Sequence, residues 1–238
     1  NEASFEIAKS LLELGRGLDV VITMVPDGKA VQAAAVGSAE APGFAVCMPE
    51  GGVIVDMSSS YPMDTRDLAA KVSVFGLAVV DAPVSGGVPK AVSGTLAIMV
   101  GGAGPQVERV EPILAAMGKI HRTGPLGSGH AMKALNNYVS AAGLVATAEA
   151  LVVGQRFGLD PKVMTSVLNA STGRNNTTEN KAARYMLSGA FDSGFALALM
   201  EKDVGMARRL AEGLGIDAPE LGLVSGYLGH ALETLGRD

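Results

Sequence analysis

Short apolar runs punctuate the first half of the chain at residues 20–25 (Val-Val-Ile-Thr-Met-Val), 53–55, 77–82, 96–101 and, more weakly, 119–123. In the first four the apolar residues follow one another without polar alternation, which is the pattern of strands buried on both faces. Pro26-Asp27-Gly28 stops the first run and Gly51-Gly52 opens the second. Helical spacing fills the gaps at 30–36, 62–72 and 105–117, the last opening with a proline in its first turn. Strands alternating with helices predict an α/β fold built on an open, largely parallel, doubly wound sheet.

After Gly124-Pro125 the alternation stops. One long helical pattern covers 129–157, and Asp160-Pro161 then reads as an N-cap followed by a first-position proline. A polar stretch from Asn169 to Asn180 interrupts the pattern. Helical spacing returns near 199–214, and Asp217-Ala218-Pro219 opens a final helix. The expected organisation is a sheet-bearing domain over 1–124 and an all-helical domain over 125–238. No internal repeat or low-complexity tract is visible.

Composition removes several classes. Cys47 is the single cysteine of 238 residues, so no internal disulfide can form and a reducing compartment is expected. A net charge of −5 with scattered basic residues gives no electrostatic ground for binding nucleic acid. The N-terminus is polar, unlike a signal peptide. The most apolar stretch, 138–153, contains Glu149 and is shorter than the ~18–20 apolar residues of a membrane span. A soluble cytoplasmic protein with no membrane partner is expected. His121, His130 and His230 lack metal-ligand spacing, so no metal site is expected.

Two segments carry candidate chemistry. In Asp81-Ala82-Pro83-Val84-Ser85-Gly86-Gly87, glycines after a serine let backbone N–H groups approach a ligand, and the hydroxyl adds a further contact. A small carboxylate fits such a loop; a tight turn between two strands explains the same residues. Further on, Lys133 and Asn137 stand one turn apart on one helix face. A lysine ammonium can donate a proton when a carbonyl is reduced to an alcohol. In the oxidative direction it must first be neutral, with its pKa brought down from about 10.4, which burial can do. An exposed lysine beside a capping amide is the plainer alternative.

The segment 81–102, followed by Gly127-Ser128-Gly129-His130-Ala131-Met132-Lys133-Ala134-Leu135-Asn136-Asn137, resembles the β-hydroxyacid dehydrogenase family over nearly the whole chain. The resemblance implies a Rossmann-like domain followed by a helical domain like that of 6-phosphogluconate dehydrogenase. It further implies hydride transfer between NAD or NADP and a small, carboxylate-bearing β-hydroxyacid or its semialdehyde. By the same resemblance Lys133 is the general acid/base, Ser85, Gly86 and Gly87 hold the substrate carboxylate, and Asn137 hydrogen-bonds the substrate. Met24-Val25-Pro26 is similar to the family's cofactor-lining loop, and Ser59 falls at its Ser/Thr position near the nicotinamide. Lys202, within Glu201-Lys202-Asp203, would reach the cofactor, although a surface charge cluster reads the same way. Arg174 and Asn175 lie where members vary with substrate. Homodimers or homotetramers through the helical half are also implied.

One departure stands out. A dinucleotide site normally opens with Gly-x-Gly-x-x-Gly after the first strand; here Gly15-Arg16-Gly17 follows a helix pattern and lacks the third glycine. Two βα units precede residues 20–25 in the family, so the chain is expected to be short at its N-terminus by roughly forty to fifty residues. The missing fingerprint is what would favour a non-catalytic module retaining the fold. An imine reductase shares the architecture, but such enzymes typically lack the lysine.

Overall fold

Every apolar run becomes a strand in the computed structural model, which describes residues 6–38 and 40–236. The strands are β1 (Val20–Thr23), β2 (Val53–Asp56), β3 (Ala78–Asp81), β4 (Val84–Ser85), β5 (Leu96–Gly101) and β6 (Gly118–Gly124). Between them lie α1 (Leu11–Gly15), α2 (Gly28–Ala35), α3 (Pro62–Val72), α4 (Gly87–Val92) and α5 (Gly104–Ala115). Contacts divide the chain into two units, Asn1–Lys133 and Ala134–Asp238.

The sheet is mixed. β1, β2 and β3 are parallel neighbours, but β5 runs antiparallel to β3 and β4, and β6 is parallel to β5. The reversal follows from chain length. The segment between Ser85 and Leu96 carries only the short α4, too little for the crossover of about a dozen or more residues that parallel pairing needs. Both sheet faces are covered, as unalternated apolar runs require. Ile54 of β2 packs with Val31, Phe44, Leu68 and Val72, while Val53 and Val55 pack on the other side with Val80, Ile98, Val110 and Leu114.

Beyond β6 the described residues are helical: α6 (Ser128–Phe157), α7 (Pro161–Ala170), α8 (Asn176–Asn180), a π-helical turn (Ala182–Met186), α9 (Leu197–Gly213) and α10 (Pro219–Leu235). The polar interruption read at 169–180 thus contains the end of α7 and the whole of α8. α6 belongs to both units, since the division falls between Lys133 and Ala134. By length and composition alone this 30-residue helix could cross a membrane, yet its first turn is hydrogen-bonded into the sheet.

That attachment explains the Gly-Ser-Gly-His motif. Asp81 ends β3 and is fully buried; its Oδ1 accepts the Gly127 N–H at 2.8 Å and its Oδ2 the His130 N–H at 2.9 Å. The opening N–H groups of a helix lack intrahelical partners and favour negative charge, so the carboxylate answers both needs. Gly129 must let the sheet come close: a β-carbon there would collide with the Met99 carbonyl oxygen and lie 2.8 Å from Asp81 Oδ2. Gly129→Ala is therefore expected to lower stability by about 1–3 kcal/mol in urea unfolding. Gly222→Ala, at an exposed position of α10 with open space around it, should be neutral or raise stability by about 0.5–1 kcal/mol. Equal losses in the two variants would contradict the packing argument.

Candidate functional site

The loops after β1 and β2 leave the carboxyl ends of parallel strands, where doubly wound sheets bind ligands. Asp56 fixes them from beneath: it is buried and accepts hydrogen bonds from Thr23 Oγ1 (3.0 Å), the Ser58 N–H (2.9 Å) and Ser60 Oγ (2.7 Å). Ser58 Oγ in turn accepts the Val25 N–H at 3.0 Å. Ser58 and Ser60 are thus consumed in holding the backbone. Ser59 between them is half-buried, Met24 and Pro26 are exposed, and Val25 packs against the core.

Ser85 ends β4, pairing with Ala97, and Gly87 begins α4. The motif is therefore a strand-to-helix junction and not a tight turn between strands. Gly86 has φ +136°, and a β-carbon there would meet the stem of Lys90 at 2.5 Å. The N-cap residue Gly86 supplies no side-chain cap to α4, and Gly86 and Gly87 are exposed. Lys133 is half-buried on α6, one turn after the residues that Asp81 holds.

In the second unit Asn137 is buried; its Nδ2 donates to Asp203 Oδ2 at 2.5 Å, and its Oδ1 accepts from Asn136 Nδ2 at 3.1 Å. Lys202 Nζ lies 3.6 Å from Asp203 Oδ1. Asp203 figures in the sequence reading only as a neighbour of Lys202 and has no role of its own there. The signal was present, because Met200, Asp203, Val204 and Ala207 share the buried stripe of α9, and an acid in an apolar stripe needs a partner.

Arg174 is exposed and pairs with Glu179 at 3.5 Å. Asn175 is the N-cap of α8: its Oδ1 accepts the N–H groups of Thr177 and Thr178, and its Nδ2 donates to Thr147 Oγ1 and the Gly173 carbonyl. Its amide is committed to local structure. A cavity of about 560 Å³ bounded by Lys162, Thr165, Asn169 and Leu187 contains none of the candidate residues.

Residues 1–137 match the family model for the NAD binding domain of 6-phosphogluconate dehydrogenase. Residues 127–238 match that for NAD-binding of NADP-dependent 3-hydroxyisobutyrate dehydrogenase. The chain is 38% identical over 190 residues to 2-(hydroxymethyl)glutarate dehydrogenase of Eubacterium barkeri, covering 79% of this chain and 62% of that protein. It is 33% identical over 228 residues to NAD-dependent L-serine dehydrogenase of Pseudomonas aeruginosa, covering 91% and 74%. The Mycobacterium tuberculosis 3-hydroxyisobutyrate dehydrogenase structure with L-serine superimposes with a TM-score of 0.85 at 31% identity, covering 95% of this chain and 78% of that one. The chain belongs to the β-hydroxyacid dehydrogenase family. It spans 62% of the Eubacterium barkeri protein and 63% of the mouse mitochondrial 3-hydroxyisobutyrate dehydrogenase.

Lys181, just before the π-helical turn, is a titratable group outside these candidates. Burial lowers its pKa from the usual 10.5, because desolvation disfavours the ammonium. The folded state then releases this proton at lower pH than the unfolded chain. Stability is accordingly expected to rise with pH between the lowered folded value and 10.5, and the burial penalty persists below that window. Lys181→Met should be more stable than wild type at neutral pH and lose this alkaline rise in a series of urea titrations. An unchanged alkaline slope would refute the assignment.

Proposed function

We propose that this protein is an NAD(P)-dependent dehydrogenase that interconverts small β-hydroxyacids and their semialdehydes, with Lys133 as the general acid/base. The observation that carries the reading is the placement of Lys133, half-buried on a helix whose first turn is held by Asp81. Relatives named for 3-hydroxyisobutyrate, L-serine and 2-(hydroxymethyl)glutarate support the substrate class. Each of those compounds is a 3-hydroxypropanoate that differs in what C2 carries. The class proposed here is therefore a 3-hydroxypropanoate with a variable group at C2.

The Ser85 hydroxyl and the N–H groups at the start of α4 receive the substrate carboxylate, since the N-cap residue Gly86 brings no side chain to cap that helix. During oxidation Lys133, as the free amine, takes the hydroxyl proton while the C3–H bond breaks and the carbonyl forms. During reduction its ammonium returns the proton to the carbonyl oxygen. Asn137, one turn further along α6, is the candidate for a second substrate contact, oriented by Asp203. When bound, the nicotinamide supplies the hydride acceptor or donor. Met24, Val25, Pro26 and Ser59 would hold it, and the fit rests on the backbone that Asp56 and Ser58 fix at the carboxyl ends of β1 and β2. Lys202 is the second unit's candidate for the cofactor.

In the full gene product, Lys133→Ala is expected to reduce kcat about 10²–10⁴-fold with 3-hydroxyisobutyrate or L-serine, leaving NAD(P) affinity nearly unchanged. Steady-state kinetics and calorimetric titration check the two halves of that statement. Turnover near the wild-type rate in Lys133→Ala would reject the role.

A further inference from the structure

His130 is 1% exposed, and its ring joins three parts of the first unit. Nε2 lies 3.1 Å from the Ser58 carbonyl oxygen in the loop after β2, and Nδ1 lies 2.8 Å from Thr65 Oγ1 in α3. Its own backbone N–H is held by Asp81. A carbonyl oxygen can only accept, so Nε2 carries a hydrogen and donates it to Ser58. Nδ1 and the Thr65 hydroxyl share the other hydrogen bond. The carboxylates of Asp56 and Asp81 each approach a ring nitrogen only to 3.8 Å, beyond hydrogen-bond range, and their oxygens are already engaged by other donors. The carbonyl that His130 grips belongs to the residue before Ser59. Lys133 is three residues beyond His130, on the same face of α6.

We propose that His130 is a positioning residue, one that locks the Ser58–Ser59 loop in register with the turn of α6 that carries Lys133. This rests on the dehydrogenase reading above, in which that loop faces the nicotinamide and Lys133 handles the proton. Hydride and proton must leave adjacent atoms of one substrate. A fixed spacing between the two protein segments therefore sets how often a bound substrate is aligned for reaction, and not how tightly it binds. The Ser58 contact carries the coupling, because it alone ties the ring to the cofactor-facing loop; Thr65 orients the ring from α3.

Two amide substitutions separate the ring's contacts. His130→Gln places its amide near the Nε2 position and can keep the donor to Ser58. His130→Asn is shorter, reaches only the Nδ1 level and loses that donor. In the full gene product, His130→Asn is expected to lower kcat about 10–100-fold with little change in KM for the hydroxyacid. The isotope effect on kcat with deuterium at C3 should increase, because misalignment makes the transfer step more limiting. His130→Gln should recover most of the loss. If the shorter variant fails to fold, His130→Gln decides alone: kcat close to wild type supports the inference, and a loss like that of a misaligned site overturns it. Equal losses in both variants, wild-type kcat in His130→Asn, a loss seen only in KM, or an unchanged isotope effect would each overturn it. A wild-type protein that oxidises no 3-hydroxypropanoate removes the parent reading and this inference together, whereas an active wild type with indifferent His130 variants removes this inference alone.

Discussion

The Asp81 carboxylate is the interaction on which the rest of the first unit depends. It sits at the end of a central strand with no exposure to water, and such a charge survives burial only if its oxygens are satisfied. The start of α6 satisfies them with the N–H groups of Gly127 and His130. Hydrogen bonds to a charged acceptor are each worth about 1.5–3 kcal/mol, and both sit where the helix dipole adds to them. The arrangement demands a residue without a side chain at 129 and fixes the turn from which α6 presents Lys133. A second buried acid, Asp56, does the corresponding work for the loops after β1 and β2 by gathering Thr23, Ser58 and Ser60.

Function follows from what these two acids leave over. Their hydrogen-bond partners are used up internally, whereas Met24 and the start of α4 are exposed. Under the proposed dehydrogenase reading, a frame held in this way suits chemistry in which hydride and proton are displaced from one substrate with little reorganisation. The second unit repeats the theme on a smaller scale: Asp203 is buried in the apolar stripe of α9 and holds Asn137.

Much of this could be read from residue order. β1, β2, β3 and β5 announce themselves because each is apolar along most of its length, β6 is only weakly marked, and α3 begins and ends where its proline and its apolar spacing indicate. Strand direction is not carried by apolar runs, so the antiparallel turn at β5 was missed, although the short Ser85-to-Leu96 connection encodes it. β4 and α4 are too short for any period to emerge, and β4 exists through pairing of Val84 with Ile98 and Ser85 with Ala97. The motifs around Ser85 and Lys133 were legible as patterns. Their physical cause was not, because it lies in contacts between residues far apart in sequence, such as Asp81 with Gly127 and His130 with Ser58. Asn175 shows the reverse case: a residue selected for substrate contact turns out to have its amide engaged in capping α8.

Amide hydrogen exchange at the start of α6 tests the central claim most directly. If Asp81 holds that turn, the Gly127 and His130 amides exchange as slowly as those in the middle of β3, although amides in the first turn of a helix ordinarily exchange fast. Asp81→Asn should then accelerate these two amides selectively while the β1–β2 pairing stays protected. Fast exchange at Gly127 and His130 in the wild-type protein, or no selective change in the variant, would contradict the account.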